Sequence, residues 1–475
     1  MSQALWTGEE IAQATGARIV GASPADVTGV SIDSRTVKPG ELYVAIKGDV
    51  HDGHDFVAAA LKAGAAAALV SEEKLASLGD AAPLFVVTDA LKELELLGRA
   101  ARARSNAKIV AVTGSAGKTG VKEALATVLG KQAETHFSVA SFNNHWGVPL
   151  TLARMNASAV FGVFEIGMNH VGEITPLTAM VRPHVAIVTT IAPVHLAFFE
   201  SIDQIADAKG EIFSGLEPDG AAIINGDIAQ TERLIAHARR AGARIVTFGD
   251  AKTADARLLR ADLHADGSEV EAVIFGEAMS YSLKNPGKHV ALNSLAVLAA
   301  VRAVGADVAA AARALGEVPP PSGRGARETL AINGRSFTLI DESYNANPAS
   351  MRAALENLGR VKPGASGRRI AVMGDMLELG DGAKIFHREL SDAVAANRID
   401  LVFACGPMMH ELWDALPQEK RGAYAADSGA LQPIVLDAIT AGDVVTVKGS
   451  LGSRMGPVVK AIRARFAASG AANKG

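Results

Sequence analysis

Apolar and polar stretches alternate regularly along most of this chain. Beyond residue 82, four almost continuously apolar runs are separated by stretches with helical spacing: AKIVAVTG, AVFGVFEIG, HVAIVTTI and GAAIINGD. Continuous apolar strands are typical of a parallel sheet that helices cover on both faces. The pattern therefore predicts a doubly wound α/β domain in the middle of the chain.

The same alternation predicts a small α/β unit before this domain and a Rossmann-like α/β domain after it. Residues 1–82 hold three short strand-like runs, GVSIDSR, GELYVAIKG and AAAALVS, and a polar gap with a proline follows. The three consecutive prolines of GEVPPPSGRGARE end the central domain, because proline fits neither a helix interior nor a central strand. The predicted domains are 1–82, 83–314 and 315–475.

Composition narrows the class of protein. The chain has 475 residues, a length that suggests about three domains. Its formal net charge of −4 is small for this size, so no global field favours a nucleic-acid or membrane-surface partner, although a local basic site stays open. The single cysteine, Cys405, excludes an intramolecular disulfide and is typical of a reducing compartment. No secretion signal or membrane-spanning run stands out, so we expect a cytosolic protein.

The stretch AVTGSAGKTGVKEAL, residues 111–125, is similar to a phosphate-binding loop that lacks its first glycine. The usual pattern is G-x-x-x-x-G-K-[ST], and Val112 stands where that glycine belongs. An apolar strand precedes the loop and a helix follows it, so backbone N–H groups and the helix N-terminus would point at a bound anion. Lys118 would neutralise phosphate charge, and the Thr119 hydroxyl would bind Mg²⁺. The alternative is an ordinary glycine-rich turn.

Three further residues fall near the sheet edge where ligands are expected. Glu165 ends one strand, His195 follows the next, and Lys209 lies in the helical run IADAKGEIF. A carboxylate and a neutral imidazole near Thr119 would hold a metal that bridges phosphates. An ammonium would repel that metal, but carbamylation by CO₂ would turn Lys209 into an anionic ligand. From spacing alone, an exposed helical lysine near Glu211 is the simpler interpretation.

Several polar residues farther along the chain have two possible roles each. Asn293, near the start of a helix, would pair with an adenine edge or simply cap the helix. Arg324 lies between glycines and would clamp a γ-phosphate or remain in solvent. Asp341 ends a strand, where it would hold ribose hydroxyls or cap the turn that contains Asn345 and Asn347. The residue types alone leave these alternatives open.

Together, these stretches resemble the Mur ligase family, the ATP-dependent amide-forming enzymes of peptidoglycan precursor synthesis. The resemblance covers essentially the whole chain, with these motifs in order: VTGSAGKT, EIG, the loop with His195, AKGEIF, GKHVALNS, SGRG and DESYNANP. The phosphate loop of this family is the short form without the early glycine. Glu342 stands where aspartate is more familiar in the family, and His145 and Trp146 occupy variable positions.

The resemblance implies a role for each candidate residue. ATP is expected to contact Thr113, Gly114, Ser115, Ala116, Gly117, Lys118, Thr119 and Gly120 in the phosphate loop, Asn293 at the adenine, Arg324 at the phosphates and Asp341 at the ribose. Mg²⁺, in two sites, is expected on Thr119, Glu165, His195 and a carbamylated Lys209. Substrate contacts are expected from Ser31, Ser34 and Arg35 at a UDP group, from Asn143 and Asn144 at a muramoyl peptide, and from Tyr344, Asn345 and Asn347 in the cleft for the amine. Lys118, Glu165, His195, Lys209 and Arg324 are the expected catalytic residues.

Within the family, six stretches resemble the members that add D-alanyl-D-alanine to UDP-N-acetylmuramoyl-tripeptide (UDP-MurNAc-tripeptide): SIDSRTVKPGELYVAIKGDVHDGHDF, SFNNHWGVPLTL, EIGMNHVGEI, AKGEIFSGL, SYNANP and GDMLELG. ATP would phosphorylate the tripeptide carboxylate, and the amine of the dipeptide would attack the acyl phosphate. We expect a monomer whose C-terminal domain closes on the central one. The alternatives are a diaminopimelate-adding or folylpolyglutamate-type ligase on the same scaffold, and a nucleotide-binding regulatory module. The chain has no DNPR stretch, which is expected of the diaminopimelate-adding enzyme.

Overall fold

The computed structural model describes residues 4–22, 26–48, 50–79, 81–139, 141–193, 198–332 and 334–471. Three β-sheets follow one another along these residues, and helices pack against each of them. The sheets have five, nine and six strands. The prediction of successive α/β domains is therefore confirmed.

The first sheet has the strand order β1-β5-β4-β3-β2 and is parallel except for β1, which runs antiparallel to β5. Its elements are α1 (Gly8–Thr15), β1 (Arg18–Val20), β2 (Gly29–Ser31), β3 (Glu41–Val44), α2 (Val57–Lys62), β4 (Ala67–Ser71), β5 (Leu84–Val87) and α3 (Ala90–Arg104). Thr7 and Glu10 form a capping box at the start of α1, in which each side chain accepts the backbone N–H of the other residue. This reciprocal cap fixes where the first helix begins.

One predicted domain boundary falls inside this first sheet. The sequence places residues 83–87 in the central domain, but β5 pairs in parallel with β4. All four residues of β5 are buried, so the strand completes the first core. The boundary predicted at residue 82 is too early, because the proline and the polar gap belong to a loop within the first domain. At the other end of the central domain, Leu315 and Val318 still pack in its core, beyond the boundary predicted at residue 314.

The second sheet has the strand order β14-β13-β12-β11-β10-β9-β6-β8-β7 and runs parallel from β7 to β12. Its elements are β6 (Lys108–Thr113), α4 (Lys118–Gly130), β7 (Thr135–Phe137), α5 (Gly147–Ala153), β8 (Phe161–Glu165), α6 (Ile174–Val181), β9 (Val185–Val188), α7 (Ile202–Gly210), β10 (Ala221–Asn225), α8 (Thr231–Arg240), β11 (Arg244–Gly249), β12 (Ala256–Leu263), β13 (Ser268–Ile274), β14 (Glu277–Leu283), α9 (Lys288–Ala303) and α10 (Val308–Leu315). One apolar cluster includes α4, α9 and α10 and another includes α5 to α8, so helices cover both faces. The doubly wound arrangement is as predicted.

Strands β12, β13 and β14 pair antiparallel to one another and extend this sheet. The pattern of continuous apolar runs does not predict them. In β13, Val270 and Ala272 are buried, whereas Glu269 and Glu271 are exposed. This period of two in SEVEAVI is typical of a strand with one buried face. Alternation, rather than continuous apolar character, was the signal that would have found it.

The third sheet has the strand order β15-β16-β20-β17-β18-β19 and is parallel except for β15. Its elements are β15 (Ala326–Ile332), β16 (Arg335–Glu342), α11 (Pro348–Arg360), β17 (Arg369–Gly374), α12 (Ala383–Arg388), α13 (Leu390–Ala396), β18 (Leu401–Cys405), α14 (Met409–Ala415), β19 (Arg421–Ala425), α15 (Ser428–Ala438), β20 (Val444–Lys448) and α16 (Met455–Ala471). Because β20 lies between β16 and β17, the strand order reverses there. The carboxyl ends of strands at such a reversal form the crevice in which α/β sheets bind ligands.

Short 3₁₀ helices lie between these elements at Gly53–Phe56, Glu72–Leu78, Glu211–Gly215, Gly380–Gly382, Gln418–Lys420 and Leu451–Ser453. Within the described ranges, no helix combines the length and the apolar character needed to cross a membrane.

Candidate functional site

The predicted phosphate loop connects the end of β6 to the start of α4. Gly114 has a φ of 147° and Gly117 a φ of 84°, in the region that favours glycine. A Cβ atom on Gly114 would collide with the Thr189 hydroxyl, and one on Gly117 would lie 2.6 Å from the Asn293 amide nitrogen. The loop thus closes tightly around these two glycines and needs no glycine at Val112. The N-terminus of α4 faces the space above the loop, as phosphate binding requires.

Lys118 is the first residue of α4, and its side chain folds over the loop. Its Nζ donates a hydrogen bond to the Gly114 carbonyl at 2.7 Å. Burial lowers the pKa of Lys118, the carboxylate of Glu165 partly opposes this shift, and the guanidinium of Arg324 adds to it. Glu165 and Arg324, which were singled out from distant motifs, therefore both lie within electrostatic reach of Lys118. Thr119 follows and is buried.

Glu165 ends β8 and is 1% exposed. Its Oε1 accepts a hydrogen bond from the Asn143 side-chain amide at 2.7 Å. Its Oε2 is buried and has no hydrogen-bond partner among the described residues. A buried carboxylate oxygen without a partner is costly unless a cation or a donor from a ligand completes it. His195, the other predicted metal ligand at a strand end, lies outside the described residues.

Lys209 is near the end of α7 and is 1% exposed. No hydrogen bond or ion pair to its Nζ occurs within the described part of the chain. Burial holds the pKa of Lys209 well below its ordinary value, and the charge of Lys118 lowers it further. The interpretation of an exposed lysine near Glu211 is wrong, because Glu211 instead accepts the backbone N–H groups of Gly172 and Thr175.

A cavity of about 420 Å³ lies between the central and C-terminal domains. The central domain contributes Ser115, Lys118, Thr119 and Asn293 to its lining, and the C-terminal domain contributes Arg324, Asn345 and Asn347. The fold thus brings residues from four separate predicted motifs to one space. A cavity between two domains, with a phosphate loop in one wall, has the shape and charge for a nucleotide.

Arg324 faces this cavity from a loop that backbone hydrogen bonds hold in place, two of them to the end of β16 and the turn that follows it. Tyr344 donates its N–H to the Gly323 carbonyl at 3.1 Å, and Gly325 donates its N–H to the Asp341 carbonyl at 2.8 Å. The Arg324 guanidinium lies 4.3 Å from the centre of the Tyr344 ring. A guanidinium stacked on an aromatic face keeps its donors free for a planar or phosphate partner.

Asp341 is not among the residues that line the cavity, so its predicted contact with ribose stays a prediction that this lining does not support. Its Oδ1 accepts hydrogen bonds from the N–H and the hydroxyl of Ser343, and its Oδ2 accepts one from Arg463 at 3.0 Å. Successive side chains of a strand point to opposite faces. Ile340 and Glu342 therefore line the cavity, while Asp341 faces the other side.

Three charged residues of this C-terminal wall, Arg327, Glu342 and Lys448, line the cavity but are not among the predicted site residues. Lys448 ends β20 and is 4% exposed. Burial lowers the pKa of Lys448, the carboxylate of Glu342 opposes this, and Arg324 lowers it further. A lysine at the carboxyl end of a strand, in DVVTVKGS, was the signal that would have found it.

The remaining asparagines have local structural partners as well. Asn347 caps α11, where its Oδ1 accepts the N–H of Ser350 at 2.9 Å. The Asn345 Oδ1 accepts the N–H of Ala346 at 2.8 Å. Asn144 accepts the N–H of Gly147 at 2.9 Å and so positions the start of α5. Their predicted contacts with substrate stay predictions.

The residues predicted to bind a UDP group lie together in the first domain, after β2. Ser31 is buried, and its hydroxyl donates to the Asp33 carbonyl at 3.2 Å. Arg35 is exposed and pairs with Asp33 at 2.7 Å. Ser34 lies between them in the same turn. None of the three lines the cavity between the other two domains, so a UDP group here would occupy a separate site.

Models of one protein family match most of the chain. The model described as Mur ligase family, catalytic domain, matches residues 26–126. The Mur ligase middle domain matches residues 112–301, and the Mur ligase, glutamate ligase domain, matches residues 328–451. The matched segments contain the phosphate loop and most of the residues that line the cavity, but the stretch with Arg324 lies between the second and third segments.

Individual relatives resemble the chain over nearly its whole length. It is 35% identical to the UDP-N-acetylmuramoyl-tripeptide--D-alanyl-D-alanine ligase of Escherichia coli strain K12, over 92% of this chain and 95% of the relative. The crystal structure of MurF from Acinetobacter baumannii superposes with a TM-score of 0.84 at 27% identity, covering 97% of this chain and 99% of that chain. MurF ligase from Thermotoga maritima, determined in complex with ADP, gives a TM-score of 0.75 at 25% identity, covering 93% and 98%.

Proposed function

The chain belongs to the Mur ligase family, and we propose that it joins D-alanyl-D-alanine to UDP-MurNAc-tripeptide, with conversion of ATP to ADP and phosphate. The main support for this proposal is the cavity between the two domains. Lys118 and Asn293 line its central-domain wall, and Arg324 lines the C-terminal wall that faces them. The named relative that shares 35% identity is a ligase of this substrate pair. A diaminopimelate-adding or folylpolyglutamate-type activity is not favoured by these relatives, nor is a regulatory module.

The reaction needs an activated carboxylate, because the tripeptide carboxylate itself is a poor electrophile. A carboxylate oxygen attacks the γ-phosphorus of ATP, the bond to ADP breaks, and an acyl phosphate forms. Lys118 and Arg324 neutralise the charge of the transferring phosphoryl group from opposite walls. The free amine of D-alanyl-D-alanine then attacks the carbonyl carbon, phosphate leaves, and the amine loses a proton to give the amide of UDP-MurNAc-pentapeptide.

The residues of the site fit a magnesium ion held mainly by nucleotide phosphates. The unpartnered Glu165 Oε2 is available as a ligand, and Thr119 lies at the start of the phosphate-loop helix. In the described ranges, no group of three or more acidic, histidine or cysteine side chains could hold a metal. Mg²⁺ commonly takes one or two carboxylates and completes its coordination with phosphates and water. When bound, it would offset charge on the transferring phosphoryl group. His195 and a second magnesium site remain part of the proposal.

We also propose that Lys209 is carbamylated in the working enzyme. A neutral amine adds to CO₂ and loses a proton, which leaves a carbamate anion in place of an ammonium. The burial of Lys209, its lack of a described partner and its lowered pKa all support this modification. In ¹³C-bicarbonate, we expect a carbamate resonance by NMR that Lys209→Met lacks; an identical spectrum from both proteins would refute the modification.

The domain arrangement suggests a further step. We propose that the C-terminal domain closes on the central one when substrates bind, since the nucleotide cavity lies between them. Closure would exclude water, which otherwise hydrolyses the acyl phosphate. Small-angle scattering of the protein with and without nucleotide and tripeptide would reveal it as a smaller radius of gyration, and unchanged dimensions would count against it. We propose that the enzyme acts as a monomer in the cytoplasm.

The direct test of the ligase is phosphate release from ATP in the presence of Mg²⁺ and UDP-MurNAc-tripeptide, with each candidate amine in turn. We expect release and a pentapeptide mass only with D-alanyl-D-alanine. Release with diaminopimelate or glutamate and a matching substrate would keep the family but overturn the substrate assignment. Sustained release without any amine would instead favour the regulatory module.

A further inference from the structure

Lys448 occupies a central position in the C-terminal sheet that the proposed function leaves unexplained. It is the last residue of β20 and pairs in register with Glu342 of β16 on one side and Met373 of β17 on the other. The strand order reverses at β20, so this strand end opens into the ligand crevice. The side chain is 5% exposed and lines the same cavity as Lys118 and Arg324.

The ammonium of Lys448 has two partners: Glu342, the last residue of β16, and Asn345, in the turn that follows this strand. Its Nζ donates a hydrogen bond to the Asn345 carbonyl at 2.9 Å and lies 3.5 Å from Glu342 Oε2. A buried ammonium needs such partners, because its burial without them is strongly unfavourable. Lys448 therefore ties the end of β20 to the turn at residues 343–347.

The turn at residues 343–347 also contacts the loop that carries Arg324. Tyr344 lies next to Asn345, donates its N–H to the Gly323 carbonyl and places its ring against the Arg324 guanidinium. A displacement of the turn would therefore move the surface on which the guanidinium rests. The path from Lys448 to Arg324 consists of one hydrogen bond, one peptide unit and one stacked pair.

Lys448 also contributes to the charge of the cavity. Among the described residues that line it, Glu342 supplies the carboxylate, and the cations are Lys118, Lys284, Arg324, Arg327 and Lys448. Lys448 is the cation paired with Glu342. Without Lys448, the Glu342 carboxylate would lose its lysine partner and would repel the phosphates of a nucleotide more strongly. The ion pair keeps the surroundings of Arg324 favourable for an anion.

We propose that Lys448 is a positioning residue for phosphoryl transfer: it holds the turn at residues 343–347 and the Glu342 carboxylate so that Arg324 faces the nucleotide phosphates. This inference rests on the proposed function. It differs from a merely structural role, in which Lys448 would stabilise the C-terminal domain without affecting the action of Arg324.

A double-mutant cycle separates the two roles. The variants are Lys448→Met, Lys448→Arg, Arg324→Ala and the pair Arg324→Ala/Lys448→Met, with Lys460→Met on the exposed side of α16 as the control. We expect Lys448→Met to lower kcat by roughly 100-fold, Lys448→Arg to recover at least about tenfold of that loss, and the double variant to be no slower than Arg324→Ala alone. Lys460→Met should match the wild type in kcat and in thermal unfolding.

Losses that multiply in the double variant, or a Lys448→Met enzyme with wild-type kcat, would overturn the proposal. A lower unfolding temperature with unchanged kcat per folded molecule would mean a structural role only. Calorimetric binding of a non-hydrolysable ATP analogue gives a second readout, in which Lys448→Met should weaken affinity and Lys460→Met should not. If the wild type made no pentapeptide, the proposed function would fail, and equal analogue affinity in both variants would separately refute the role of Lys448.

Discussion

The two walls of the nucleotide cavity are built in different ways. The central wall is a contiguous stretch in which Gly114, Gly117 and Lys118 occupy a single loop and the first turn of α4. The C-terminal wall combines Arg324, Glu342 and Lys448, which come from three separate segments of the chain. Backbone geometry determines the first wall, whereas strand register determines the second.

This difference determines how each wall tolerates change. In the central wall, the loop conformation follows from two glycines and a helix start, so the binding groups stay in place if a distant strand is altered. In the C-terminal wall, Arg324 depends on the ring of Tyr344, and the turn depends on Lys448. We therefore expect variants of the first wall to lose activity because a group that contacts the nucleotide is missing. Variants of the second wall can also lose activity because Arg324 is displaced.

The largest effect is expected from Lys118→Ala. This change removes the charge that lies over the phosphate loop, and we expect kcat/KM for ATP to fall by about 1,000-fold, as for loss of a phosphate-neutralising cation. Steady-state phosphate release measures it. Lys131→Ala is the matched control: Lys131 caps the far end of the same helix, its ion pair with Glu317 is exposed, and the variant should retain activity. Equal activity of the two variants would remove Lys118 from the site.

Arg324→Ala should have the next largest effect. We expect kcat to fall by roughly 100-fold because one of the two opposing cations is lost. Arg324→Lys keeps the charge but loses the planar stack on Tyr344, and we expect it to recover only part of the rate. Full recovery with lysine would show that the charge alone matters and that the tyrosine surface has no role.

Glu342→Gln and Asp341→Asn distinguish the two neighbouring carboxylates. Glu342 lines the cavity and pairs with Lys448, which holds the turn that carries Tyr344. Its replacement by glutamine removes a carboxylate that repels phosphates but weakens that pair, and we expect the loss of the pair to dominate and to raise the KM for ATP by about five- to tenfold. Asp341 pairs with Ser343 and Arg463, so its replacement should leave that KM unchanged and lower the free energy of unfolding by about 1–3 kcal/mol. The opposite assignment of the two effects would restore the contact originally predicted for Asp341.

A smaller effect is expected on the pH dependence of stability, through a histidine that contacts β6, the strand before the phosphate loop. The Nδ1 of His184 accepts the N–H of Ile109 at 3.0 Å, near the start of the strand that leads to the phosphate loop. Burial lowers the pKa of His184 to about 4, with Lys108 and Arg102 adding to the shift. Between about pH 6.5 and 4 the unfolded chain binds more protons at this residue than the folded protein does. Lowering the pH through that window should therefore reduce the free energy of unfolding, by at most about 3 kcal/mol. Chemical denaturation at several pH values measures this, and His184→Asn should flatten the dependence.

Much of the central wall could be predicted from the sequence, because strand, glycine turn and helix are adjacent in the chain. The C-terminal wall could be predicted only in part. Leu339 and Ile340 are both buried, so apolar character did not reveal which face of β16 meets the ligand, and Asp341 was chosen over Glu342. The pairing of Glu342 with Lys448 depends on strand register, which is not visible from residues so far apart in sequence.

Two other predictions differ from the structure for similar reasons. The burial of Lys209 follows from packing around α7, which helical spacing alone did not reveal. The proline before β5 indicated a domain edge, but the strand after it pairs back into the first sheet. In both cases a local signal was overridden by contacts with distant parts of the chain.

The most direct test of the mechanism follows oxygen from the substrate. The substrate is UDP-MurNAc-tripeptide with ¹⁸O in both oxygens of the reacting carboxylate. It reacts with ATP and D-alanyl-D-alanine, and the masses of the products are measured by mass spectrometry. We expect one ¹⁸O in the released phosphate and one in the new amide, because the acyl phosphate transfers a single carboxylate oxygen. Phosphate free of label, or label in AMP, would contradict phosphoryl transfer to the tripeptide in this cavity.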